Sequence, residues 1–155
     1  MADNQDVENM QLPLSLTRED LPKLELSYGF YSAKTGAGVQ EVHLFGDGRV
    51  RLKRTGSYNA EPQYRDGKLA PQVLLRLLEL MDAQGLMGLE DEYISEEGPP
   101  LGRRILTLRS PKVNKRVIAD LQVVPPELER LGGALMLAAG LATPEALGNR
   151  FFANL

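Results

Sequence analysis

Between residues 24 and 54 apolar and polar side chains alternate one for one, the two-residue period of strands that have one dry face and one wet face. Leu24, Leu26, Tyr28 and Phe30 alternate with Glu25, Ser27, Gly29 and Tyr31. After the turn "SAKTGAG" the pattern resumes in "VQEVHLF", with Val42 and Leu44 on one face and His43 and Phe45 on the other. "GDG" then reverses the chain, an Asp-Gly hairpin signal, and "RVRLKR" returns with Val50 and Leu52 inward and Arg49, Arg51 and Lys53 outward. These segments predict an antiparallel three-stranded meander.

The period changes after residue 70. Residues 55–68 read as a long loop with a short extended piece at Gln63 to Arg65. "PQVLLRLLELMDAQ" places Leu74, Leu77, Leu78 and Met81 on one helical stripe, with Pro71 at the first helical position and Gly85 as a left-handed stop. This predicts a helix over 71–84. "RRILTLRS" and "KRVIADL" flank "PKVN" and predict a second hairpin. Pro125 and Pro126 open a second helix over 126–139, in which Leu128, Leu131, Leu135 and Ala138 share a line. Gly132 and Gly133 within it cost ~1 kcal/mol each relative to alanine, which predicts close packing against a neighbour. Thr143, Pro144 and Glu145 predict the start of a short last helix. Residues 1–20 are polar, acidic and aperiodic and read as a flexible arm, whose Leu12, Leu14 and Leu16 offer an edge segment to dock. The fold class is therefore α+β, a single domain over 21–155 with the two main helices on one face of the strands.

Composition narrows the chemistry. The chain has no cysteine and one histidine, His43. Disulfides, thiol nucleophiles, cysteine-ligated metals and two-histidine metal sites are excluded. The acidic loop carrying Glu90, Asp91, Glu92, Glu96 and Glu97 lacks the spacing of a calcium loop, so neither a metal nor another cofactor is expected. No leader or membrane span is read, and the expected compartment is the cytoplasm.

The order of these segments resembles a family of small bacterial domains of unknown function. The resemblance runs over roughly residues 23–140. It rests on the "GDG" hairpin, "GKL" leading into a leucine-rich helix, "GLMGLEDEY", a second hairpin and a "PPELERL" helix. It implies an α+β fold and no activity. Members often carry a Cys-x-x-Cys-Pro stretch near the first strand, where this chain reads "GFYSAKTGAG". Thiol chemistry in that family is not available here.

Lysine and arginine number 18 against 21 acidic residues, a net charge of −3 that argues against a dedicated nucleic-acid binder. Basic residues nonetheless gather on two hairpins, at 49–54 and 103–116. Arg49, Arg51, Lys53, Arg103, Arg104, Lys115 and Arg116 are the basic-face candidates, with Arg109 and Lys112 beside them. The acidic loop opposes them, and a bipolar surface fits self-association or a charged protein partner better than DNA. Phe151, Phe152 and Leu155 in "NRFFANL" are the apolar interface candidates, either closing their own core or anchoring a partner or second copy. The leading expectation is a non-enzymatic protein-interaction or scaffold module. The alternative is a nucleic-acid-binding accessory domain that uses the basic hairpins. A third reading is a hydrolase-like enzyme around His43 with Ser27, Ser57 or Tyr58, for which no nucleophile motif is present.

Overall fold

The computed structural model describes residues 12–32, 39–55, 61–99, 101–141 and 143–144. Within them the chain forms an α+β fold: one eight-stranded sheet with two helices packed on one face. The strands are β1 (Glu25–Ser32), β2 (Val39–Phe45), β3 (Arg49–Thr55), β4 (Gln63–Lys68), β5 (Glu92–Tyr93), β6 (Gly102–Arg109), β7 (Asn114–Asp120) and β8 (Thr143–Pro144). Their order across the sheet is β5-β7-β6-β1-β2-β3-β4-β8. Every pairing is antiparallel except β5 with β7.

The meander and the second hairpin are thus one sheet, joined where β6 lies along β1 with Leu26 opposite Leu108 and Tyr28 opposite Leu106. That register puts the apolar sides of both hairpins on the same face. Leu26, Tyr28, Val42, Leu44, Val50, Leu106, Leu108, Val117 and Ala119 are all buried there.

Helix α1 (Pro71–Ala83) covers this face with Leu74, Leu77, Leu78 and Met81, the stripe that the helical period predicts. It stops at Gly85, whose φ of 74° is left-handed backbone that glycine adopts without a β-carbon clash. Helix α2 (Pro126–Leu141) adds Leu128, Leu131, Leu135, Ala138 and Ala139 to the same core. Of the glycine pair, Gly132 is pressed against the Tyr28 ring, whereas a β-carbon at Gly133 would meet nothing. Close packing holds for the first glycine only.

Two expectations change. Within the stretch expected as an arm, Leu14 and Leu16 are 5% and 2% exposed and belong to the core. They enter it through a 3-10 turn (Pro13–Ser15) against α1, where the Leu14 N–H donates to Asp82 Oδ2 at 3.2 Å, and not as an edge strand. Burial of two leucines outweighs the polar composition around them. The loop expected over 55–68 contains the full strand β4, which carries no apolar alternation because its inward positions are Arg65 and Gly67. Thr143 and Pro144 extend the sheet beside Lys68 and Gly67. The remainder of the expected last helix, together with Phe151, Phe152 and Leu155, lies outside the described residues. No described helix is long and apolar enough to cross a membrane.

Candidate functional site

No described helix packs on the second face of the sheet, and its residues follow from strand alternation alone. β1 contributes Glu25, Ser27 and Tyr31; β2 contributes Glu41, His43 and Phe45; β3 contributes Arg49, Arg51 and Lys53. β4 adds Tyr64, Asp66 and Lys68, β6 adds Arg103, Ile105, Thr107 and Arg109, and β7 adds Arg116, Ile118 and Asp120. The basic residues of both hairpins therefore share one face because their strands share one sheet.

Two candidates do not belong to it. Arg104 and Lys115 sit one residue out of phase with Arg103 and Arg116, so they point to the helix side. Lys115 Nζ donates to the Leu89 carbonyl and pairs with Asp91 at 3.0 Å, tying the acidic loop to β7. Arg104 donates to Tyr28 Oη at 2.9 Å and lies 3.5 Å from Glu129. Adjacent basic residues on a strand must face opposite ways: Arg104 is in phase with buried Leu106 and Leu108, and Lys115 with buried Val117 and Ala119, while Ile105 and Ile118 blur that alternation in the sequence.

The open face is amphoteric. Arg51 donates twice to Asp66, at 2.7 and 3.0 Å, and its guanidinium lies 5.3 Å from the Tyr64 ring centroid. Arg49 pairs with Asp47 in the hairpin turn at 2.7 Å and covers Phe45 at 4.6 Å. Arg103 donates to Asp120 at 3.0 Å. Lys53, Arg109 and Arg116 have no salt-bridge partner among the described residues. A shallow hollow of about 590 Å³ opens over β2, β3 and β4, bordered by Glu41, His43, Phe45, Arg49, Lys53 and Tyr64.

At its margin one carboxylate joins two other groups. Tyr31 Oη donates to Glu41 Oε1 at 2.8 Å, and His43 Nε2 lies 3.2 Å from Glu41 Oε2. Partial burial alone would raise the Glu41 pKa. Hydrogen bonds from Tyr31 and His43 and the nearby Lys53 charge outweigh it, leaving the carboxyl below its usual value. An ionised carboxylate only accepts, so the His43 Nε2–H is the donor in this pair. Burial first, then the Glu41 hydrogen bond and charge, push the Tyr31 phenol up to about 12. Ser27 stands directly opposite His43 in register, but the imidazole turns to Glu41 instead. Ser57 and Tyr58 lie outside the described residues. In the acidic loop, Asp91 is held by Lys115 and Glu92 enters β5, and no cluster of three acidic or histidine side chains forms among the described residues.

This geometry suits a polar surface that can exchange partners. The Arg49–Asp47 and Arg51–Asp66 pairs are exposed and such pairs are each worth only about 0.2–1 kcal/mol, so an incoming chain of either charge can replace them at small cost, whereas the carboxylate of Asp120 is buried. A nucleic-acid strand finds less. The Arg49 and Arg51 charges are paired, one face each of Phe45 and Tyr64 carries a guanidinium, and Glu25, Glu41 and Asp66 stand among the cations. No protein-family model and no curated protein sequence matches this chain.

Proposed function

We propose that this protein is a non-enzymatic interaction module of a cytoplasmic assembly, which binds a protein partner through the open face of its sheet. The observation that carries the reading is the interleaving of charge signs on that face. Arg49, Arg51 and Arg103 hold Asp47, Asp66 and Asp120, while Lys53, Arg109 and Arg116 make no salt bridge among the described residues and stand beside Tyr31, Tyr64, Ile105 and Ile118. An interface of this kind reads charge pattern on a partner, and its aromatic and isoleucine positions supply the dry centre. The cysteine-free composition suits a reducing compartment.

The test is capture of partners from native extract by wild type and by Lys53→Glu/Arg109→Glu/Arg116→Glu, each with and without nuclease, at low and high salt. The reading expects protein partners that survive nuclease and are lost from the triple variant, while the circular dichroism of that variant matches wild type. Capture that disappears with nuclease would favour a nucleic-acid role instead.

A further inference from the structure

A second concavity lies on the helix side of the sheet, remote in character from the open face. It is a cleft of about 460 Å³ between the ends of β1, β2 and β6 and the middle of α2. Its walls are Phe30, Met136 and the bare backbone at Gly133, where a β-carbon would meet nothing within 4 Å. Its size falls within the about 300–1,000 Å³ of small-molecule sites, which combine apolar walls with a few placed polar groups.

The polar groups here are Arg104 and Tyr28. The Arg104 guanidinium lies 5.9 Å from the Phe30 ring centroid and donates from Nη1 to Tyr28 Oη at 2.9 Å. Tyr28 spends an acceptor site on that bond and keeps its own O–H to donate. The charge is poorly matched: Arg104 Nε is buried and meets no acceptor among the described residues, and Glu129 approaches Nη2 only to 3.5 Å from a side chain that is 58% exposed. An ion pair of that length at the rim is weak and displaceable.

We infer that this cleft binds a small monocarboxylate with a flat apolar body, its carboxylate on Arg104 and Tyr28 and its body between Phe30, Met136 and Gly133. The site favours a single negative charge over a phosphate, because Glu129 stands at the mouth and, among the described residues, Arg104 is the one cation in the lining. The glycine at 133 is what leaves room for the body.

The experiment is titration of the full chain with indole-3-acetate and with indole-3-acetamide, its neutral analogue, followed by amide chemical shifts of Phe30, Gly132 and Gly133. The acetate should bind saturably, and the amide about tenfold more weakly, since a charge-assisted hydrogen bond is lost. Gly133→Leu, which plugs the cleft without touching Arg104, should abolish binding while leaving the fold intact. Glu129→Gln should tighten binding by removing the competing carboxylate, an effect that general loosening of the structure would not produce. The inference is overturned by no saturable shift up to about 10 mM, by equal affinity for acetate and amide, by binding that survives Gly133→Leu, or by weaker binding in Glu129→Gln.

Discussion

Gly132 of α2 lies directly against the ring of Tyr28 on β1, so closely that a β-carbon at position 132 would overlap Cζ, Cε2 and Oη of that ring. Tyr28 has little freedom to yield, being 5% exposed and held at its hydroxyl by Arg104. This pair sets how near the second helix sits to the sheet.

Gly132→Ala should therefore destabilise the protein although alanine is the better helix former. The overpacking costs about 1–3 kcal/mol against a propensity gain of about 1 kcal/mol. Gly133→Ala, with open space at its β-carbon, should stabilise by roughly 0.5–1 kcal/mol. Chemical denaturation of the two variants side by side checks the contrast. Equal effects would mean that α2 does not rest on Tyr28.

Leu16→Ala should cost about 2–5 kcal/mol, the range for truncating a buried leucine. Residue 16 lies in the stretch whose composition reads as an arm, and its 2% exposure makes it core. A loss below about 1 kcal/mol in urea denaturation would return residues 12–20 to the surface.

Asp120 gives an acid-side prediction. The Ser95 N–H bonds one carboxylate oxygen at 2.9 Å and Arg103 bonds the other at 3.0 Å. The Ser95 bond is the main influence on its pKa; burial opposes it, Arg103 reinforces it, and the carboxyl ends below its ordinary 3.8. A lowered folded pKa contributes stability that is present above the unfolded value and is lost as pH falls through the folded one. Asp120→Asn should thus be less stable than wild type at neutral pH, with the gap closing as pH drops below 3.8. A gap that stays constant in denaturation curves across that range would contradict the assignment.

Tyr31 titrates on the other side. Its phenol is raised from 10.0 to about 12, so the stability it contributes is full below pH 10.0 and is lost as pH rises toward 12. The ultraviolet difference titration of wild type against Tyr31→Phe should show this high midpoint. Glu41→Gln should bring it down only part of the way, because burial, the larger cause, remains. A midpoint at the ordinary value in wild type would break the Tyr31–Glu41 bond from the account.

Much of this architecture is legible in the residue pattern, and the exceptions share a cause. Val42, Leu44, Val50 and Leu52 alternate cleanly, and α1 declares itself through Leu74, Leu77, Leu78 and Met81. Alternation says which face a residue takes but not which strand lies beside it, so the β1–β6 seam at Tyr28 and Leu106 has no local signal. β4 is hidden because a buried arginine and a glycine hold its inward positions, Arg65 being tied to the Ala139 carbonyl at the end of α2. The open face was half visible: Arg49, Arg51, Lys53, Arg103 and Arg116 fall on it, while Arg104 and Lys115 turn away. The carboxylates that neutralise it, Asp66 on β4 and Asp120 at the end of β7, become its partners only through pairing across the sheet.

The central claim is that the open face of the sheet meets a protein, and photocrosslinking from two positions tests it most directly. A photoreactive phenylalanine analogue at Tyr64, on the open face and 40% exposed, is compared with one at Leu137, on the outward side of α2 and 69% exposed. The account predicts a discrete protein adduct from position 64 in native extract, resistant to nuclease, and none from position 137. An adduct from 137 alone, or nucleic acid as the species captured at 64, would contradict it.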